Sequence, residues 1–257
     1  MSETLSSHLP ELEVMRKYPQ TLYFRGDTKL LSRVKLSIVG ARRADGYARS
    51  ITRTLAARLA AAGVCIVSGG AMGIDAVAHA AAGAANTIAV LGNGLDIRYP
   101  DTNRELLGAI EEHGLLLSPF EDGSRATNWS FVVRNEIVVA LGDALIVTQA
   151  DEKSGSMRSV EYAMKMGKPI YVLPHRLGES EGTNRLLAEG RAEAIYDIDA
   201  FAARYGEAAR CADDPFLEYC RSRPSYEDAV KAYPQEVFQY ELEGRITVSA
   251  GRIAVLS

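Results

Sequence analysis

Between residues 34 and 173, short and nearly continuous apolar runs alternate with longer amphipathic ones, a rhythm that restricts the chain to a layered α/β architecture. Strands are predicted over 34–39, 64–67, 87–91, 115–117, 144–148 and 170–173, with helices over 46–62, 74–82, 102–113, 131–141 and 157–166. Runs such as Leu115-Leu116-Leu117 and Ala144-Leu145-Ile146-Val147 lack the polar alternation of a half-solvated strand, so helices must cover both faces of the sheet. The expected fold is a doubly wound, mostly parallel α/β domain over 34–206. Residues 1–33 are polar and irregular in pattern, with Tyr18-Pro19 and Arg25-Gly26-Asp27 as turn material, and read as a lead-in packed on that domain. After about residue 201 the rhythm changes. Helices are predicted over 215–221, 226–232 and 235–244, followed by a hairpin around Ser249-Ala250-Gly251, so 213–257 reads as a small winged-helix-like domain.

Three glycine- or serine-rich turns each follow a predicted strand and open a predicted helix. They are Gly40-Ala41-Arg42-Arg43, Ser68-Gly69-Gly70-Ala71-Met72-Gly73 and Lys153-Ser154-Gly155-Ser156. Small residues let backbone N–H groups approach an anion, a helix start adds partial positive charge, and Arg or Lys supplies full charge. In an open parallel sheet these turns all lie on the carboxyl edge, where they form a track suited to a nucleotide or a nucleic-acid backbone. Trp129-Ser130-Phe131 leads into Arg134 and Asn135, which sets a flat ring for stacking beside a guanidinium for phosphate.

Charge limits how such a track is built. The formal net charge is −4, and the stretch from Asp213 to the end holds eight acidic against five basic residues, so any basic track is local. The acidic tail suits contact with protein better than DNA reading. No apolar run approaches the ~20 residues of a membrane-spanning helix, and the start lacks a secretion signal, so a cytoplasmic location is expected. Cys65, Cys211 and Cys220 form no close pair and read as reduced thiols.

Catalytic and cofactor motifs are missing or incomplete. Gly92-Asn93-Gly94 begins like a dinucleotide fingerprint, but Ile97 replaces the third glycine and Pro100 interrupts before the next helix. Asp75 and His79 stand four apart on a helix, while His8, His113 and His175 are scattered, so no metal-ligand set is assembled. No serine sits in a nucleophile elbow. A non-enzymatic protein without cofactor or metal is expected.

The ordered motifs Val39-Gly40-Ala41-Arg42-Arg43, Ser68-Gly69-Gly70-Ala71-Met72-Gly73-Ile74-Asp75 on to His79, and Thr87 through Tyr99-Pro100 with Asn103 resemble the DNA processing protein A family. Leu117-Ser118-Pro119, Phe131 with Arg134-Asn135, Ser154-Gly155-Ser156 and Gly182-Thr183-Asn184 extend that resemblance over about residues 18–197. The resemblance implies an extended Rossmann-like domain that binds single-stranded DNA, a homodimer, and a role in helping to load RecA onto incoming DNA during natural transformation. It implies DNA contacts at Gly40, Arg42, Arg43, Ser68, Gly69, Gly70, Gly73, Phe131, Arg134, Asn135, Lys153, Ser154, Gly155 and Ser156. The family's amino-terminal helical domain is expected to be absent. Three positions depart from the family pattern: Glu136 replaces a basic residue near the track, Gln149 replaces Glu, and His175 stands where glycine commonly follows Pro174. The rival reading is a Rossmann-like nucleotide phosphoribohydrolase, whose glycine-rich signature Ser154–Glu161 matches only loosely.

Overall fold

The structure is a computed structural model that describes residues 2–206, 216, 219–220, 222, 224–242, 246–249 and 251–255. The chain divides into two compact units, Met1–Ala208 and Ala209–Ser257. In the first, nine strands form one sheet: β1 (Glu3–Thr4), β2 (Tyr23–Gly26), β3 (Lys35–Val39), β4 (Cys65–Ser68), β5 (Thr87–Val90), β6 (Leu115–Ser118), β7 (Ala144–Val147), β8 (Ile170–Val172) and β9 (Glu193–Ala194). Their spatial order is β1-β2-β6-β5-β4-β3-β7-β8-β9. All neighbouring pairs from β6 to β9 are parallel. The helices are α1 (Gly46–Ala61), α2 (Ile74–Ala82), α3 (Arg104–His113), α4 (Asn128–Leu141), α5 (Gly155–Lys165), α6 (Glu181–Ala188) and α7 (Ile198–Ala203).

This is the doubly wound α/β sheet that the apolar runs require, and the alternation along each strand explains why both faces are dry. Leu36 and Ile38 of β3 and Ile66 of β4 point to one face, where Leu55 and Leu59 of α1 and Ile74 and Ala78 of α2 cover them. Val39, Val67, Leu145 and Val147 point to the other, against Ile137 and Leu141 of α4 and Val160 of α5. Cys65 lies in that second layer, and burial pushes its thiol pKa up to about 12, so it behaves as a small hydrophobe.

The amino-terminal segment is not the irregular lead-in expected. Tyr23–Gly26 adds to β6 antiparallel, with Phe24 opposite Leu117 and Gly26 opposite Leu115. Gly26 has φ +107, and a Cβ there would lie 2.2 Å from the Gly114 carbonyl oxygen, so this glycine allows a close strand approach rather than a free turn. Arg25, also expected in a turn, pairs with Glu111 at 3.0 Å and Asp122 at 3.4 Å. Three half-buried residues and an exposed glycine carry too little periodicity to announce a strand; pairing with β6 makes them one.

The second unit contains α8 (Tyr226–Ala232), α9 (Pro234–Leu242) and the antiparallel hairpin β10 (Ile246–Ser249) with β11 (Arg252–Val255). Phe216, Ala229, Val237, Ile246 and Ile253 form its core. Ser225 caps α8 by accepting from the Asp228 amide at 3.1 Å. The helix predicted over 215–221 lies largely outside the described residues, as does Cys211. Among the described residues no helix is long and apolar enough to cross a membrane.

Candidate nucleic-acid interface

The chain leaves β3 to build β4 on one side and later returns to place β7 on the other, so the sheet's topological switch point lies between β3 and β7. Ligand crevices in open α/β sheets form outside the carboxyl ends of strands at such a point. Here the three turns converge as the strand order demands, around a cleft of about 610 Å³.

The first turn leaves β3 at Gly40, where a Cβ would come within 2.6 Å of the Ile74 side chain. Glycine is therefore required for β3 to exit against α2. Arg42 and Arg43 follow and are exposed, and neither pairs with a carboxylate among the described residues. Asp45 ends the turn by accepting the Ala48 amide at 2.7 Å, which starts α1.

The second turn is held from within. Gly70 and Gly73 take φ +66 and +82, and a Cβ on Gly73 would lie 2.3 Å from the Ala41 carbonyl oxygen, so the two turns abut. Asp75 reaches back to accept the Gly69 amide at 3.2 Å and the Ala71 amide at 3.3 Å. Asn103 donates to the Gly70 and Ala71 carbonyls at 3.0 and 3.1 Å. Arg134, buried at 4% exposure, donates to the Gly69 carbonyl and, at 2.8 Å, to that of Val90. Burial pushes the Asp75 carboxyl above its usual range, against the pull of Arg134, and burial also lowers the Arg134 pKa. The Gly69 and Ala71 amides thus serve Asp75, so these two donors of the expected anion turn are already engaged within the protein.

The third turn places Ser154 immediately before α5, which begins at Gly155, two residues earlier than the sequence pattern indicates. The Ser154 hydroxyl is buried without a partner among the described residues, and a Cβ at Gly155 would meet none of them within 4 Å. An eleven-residue helix thus presents its positive end to the cleft.

Phe131, half-buried in α4, joins these parts. The Arg42 guanidinium lies 5.4 Å from its ring centroid and that of Arg134 5.6 Å, both within cation–π range. The exposed Tyr99 ring stands 6.0 Å away, tilted 30°. Gly92 makes room for the ring, since a Cβ there would lie 2.8 Å from Phe131 Cδ1. Asn93 donates to the carbonyls of Gly94 and Ile97 at 2.9 and 2.8 Å, so Gly92-Asn93-Gly94 shapes a loop and seats an aromatic ring.

The predicted residues therefore separate into groups. Gly40, Arg42, Arg43, Phe131, Arg134, Asn135, Ser154, Gly155 and Ser156 line the cleft. Gly69 and Gly70 line an adjoining recess with Arg42, Phe131 and Tyr99. Ser68 does not reach either: it is fully buried, and its hydroxyl donates to the Ile38 carbonyl at 2.6 Å. Gly73 packs beneath the first turn, and Lys153 is exposed outside the lining. Sequence reasoning missed Arg158, which lines the cleft one helical turn into α5, and Tyr99, which a loop delivers. The (i, i+4) spacing from Ser154 to Arg158 was the available signal for the first; nothing local marks the second.

The unusual residues find partners. Glu136 turns from the cleft to accept the Arg16 amide at 3.0 Å, so its negative charge serves the amino-terminal segment. Gln149 accepts the Asp45 amide at 3.0 Å and donates to its carboxylate at 2.9 Å. Trp129, 68% exposed, sits edge-on to Phe120 at 5.9 Å beside a separate hollow that Glu136 also lines.

A family model described as DNA recombination-mediator protein A matches residues 4–206. The chain is 34% identical over 227 residues to a putative DNA processing protein of Mycobacterium tuberculosis, covering 85% of this chain and 56% of that protein. It is 34% identical over 186 residues to the DNA processing protein of Bacillus subtilis, covering 70% and 62% respectively. It thus spans less than two thirds of the length of these relatives. Among solved structures, one reporting the single-stranded DNA binding mode of DNA processing protein A from Helicobacter pylori matches at 42% identity and TM-score 0.77, covering 79% of this chain and 95% of that one. The Streptococcus pneumoniae DNA processing protein A structure matches at 31% identity and TM-score 0.74, over 80% and 74%.

Proposed function

The chain belongs to the DNA recombination-mediator protein A family, and from that premise we propose that it binds single-stranded DNA in the cleft at the β3–β7 switch point. The observation that carries this reading is the grouping of exposed Arg42 and Arg43, the Phe131 ring and the start of α5 around one cleft. Phosphates lie against the two guanidinium groups and the helix start, while an unpaired base stacks beside Phe131 and Tyr99. Nothing in this arrangement reads base edges, so sequence preference is weak. The protein acts without catalysis, cofactor or membrane, in the cytoplasm, as a homodimer that helps RecA onto incoming DNA during natural transformation. Its acidic tail unit, of winged-helix type, contacts protein.

Fluorescence anisotropy with a labelled oligonucleotide tests the reading. The expected result is tighter binding to single strands than to a duplex of equal length, weakened steeply by salt. Replacing both Arg42 and Arg43 with Ala should cost roughly 1 to 3 kcal/mol of binding and leave melting unchanged. Equal or tighter duplex binding, or a double variant that binds like the parent, overturns it.

A further inference from the structure

Asp45, His175 and Glu179 come together beside α1 and the carboxyl end of β8, with one ligand-capable atom of each lying within 4.8 Å of the others. We infer that this cluster is a binding site for a divalent transition-metal cation of the Zn²⁺ or Mn²⁺ class. The His175 ring decides the matter. Its Nε2 lies 2.7 Å from the Thr148 carbonyl oxygen, and a carbonyl only accepts, so Nε2 carries the proton. Nδ1 then holds a lone pair, and that atom is buried with no hydrogen-bond partner among the described residues. A ring nitrogen with a free lone pair, whose opposite N–H is fixed on a backbone carbonyl, is the arrangement that orients metal-ligating histidines.

The carboxylates complete the donor set. Asp45 is held by the Ala48 amide at 2.7 Å and the Gln149 amide group at 2.9 Å, and each bonded oxygen keeps a second lone pair. Tyr47 stands edge-on to the His175 ring at 5.3 Å and donates to the Pro174 carbonyl at 3.2 Å, which restricts the ring's rotation. Glu179 is exposed, and no ion pair to it is found among the described residues, so it is the arm that closes on an ion. One imidazole nitrogen with two carboxylate oxygens suits a borderline cation with about 2.0–2.2 Å bonds and leaves coordination positions for solvent. The inference stands apart from the nucleic-acid reading, because it needs only these side chains.

Titration of the full chain with Zn²⁺ and with Mn²⁺, in competition with a chromophoric chelator and without DNA, tests it. One ion per chain is expected, bound at least about tenfold more weakly by both Glu179→Gln and His175→Ala, with circular dichroism unchanged. Where His175→Ala does not fold, Asp45→Asn takes its place, since Asn preserves the cap on α1. The inference fails if the parent takes up neither ion, or if either variant binds as the parent does.

Discussion

At the scale of single residues, the Asp75 and His79 pair that could suggest metal ligands in the sequence is spent on the interior. His79 is fully buried, with Nδ1 2.5 Å from the Thr87 hydroxyl, which itself donates to the Ile66 carbonyl at 2.8 Å. That leaves the hydroxyl as acceptor and Nδ1–H as donor. Burial, with a smaller contribution from the Arg134 charge, lowers the His79 pKa from 6.5 to about 3. The folded state therefore binds fewer protons here than the unfolded chain, and the stabilisation is complete above the unfolded value of about 6.5 and lost as pH falls toward the folded value. From about pH 6.5 to about pH 5 this one group should cost on the order of 2 kcal/mol. Urea unfolding across that range should show a shallower pH slope for His79→Gln, which retains a donor for Thr87. Parallel slopes for parent and variant would show that His79 is not the acid-sensitive group.

At the scale of elements, the two glycine turns are one unit because Gly73 lies directly under the Ala41 carbonyl. Gly73→Ala meets a left-handed φ of +82 together with backbone oxygens at 2.3 and 2.5 Å, and it should destabilise the fold by roughly 1 to 3 kcal/mol or more. The displaced first turn should also carry Arg42 and Arg43 out of register and weaken oligonucleotide binding. Gly155→Ala is the contrast: its Cβ meets open space at the start of α5, and stability should change by less than about 0.5 kcal/mol. Chemical denaturation of the two variants side by side checks both, and equal stabilities would remove the steric account of the turn pair.

At the scale of the molecule, charge is partitioned between the units. The segment from Asp213 to the carboxyl terminus carries a net −3 of the total −4, so it repels a polyanion and leaves attraction to the local arginines of the cleft. Removing residues 209–257 should leave the first unit folded, with its own core, and its single-strand affinity within about tenfold, or about 1.4 kcal/mol. Circular dichroism with an anisotropy titration measures this. Loss of binding by a folded first unit would place the acidic unit on the DNA.

The α/β layering was legible in the chain because a strand buried on both faces must be apolar throughout, and Leu115–Leu117 or Ala144–Val147 admit no other environment. The cleft was legible in outline, since glycine after a strand and before a helix signals a turn at the sheet's carboxyl edge. Local sequence does not encode which donors such a turn leaves open. Only the tertiary structure turned Asp75 back onto the Gly69 and Ala71 amides, buried Ser68 and the Arg134 guanidinium, and drew Tyr23–Gly26 into the sheet. Asp45 is likewise distant in the chain from His175 and Glu179, and they meet where the start of α1 lies against the segment that follows β8. Hydrophobic periodicity is a property of neighbouring residues, whereas the partner of a polar group is chosen by strand order, and strand order exists only in the folded chain.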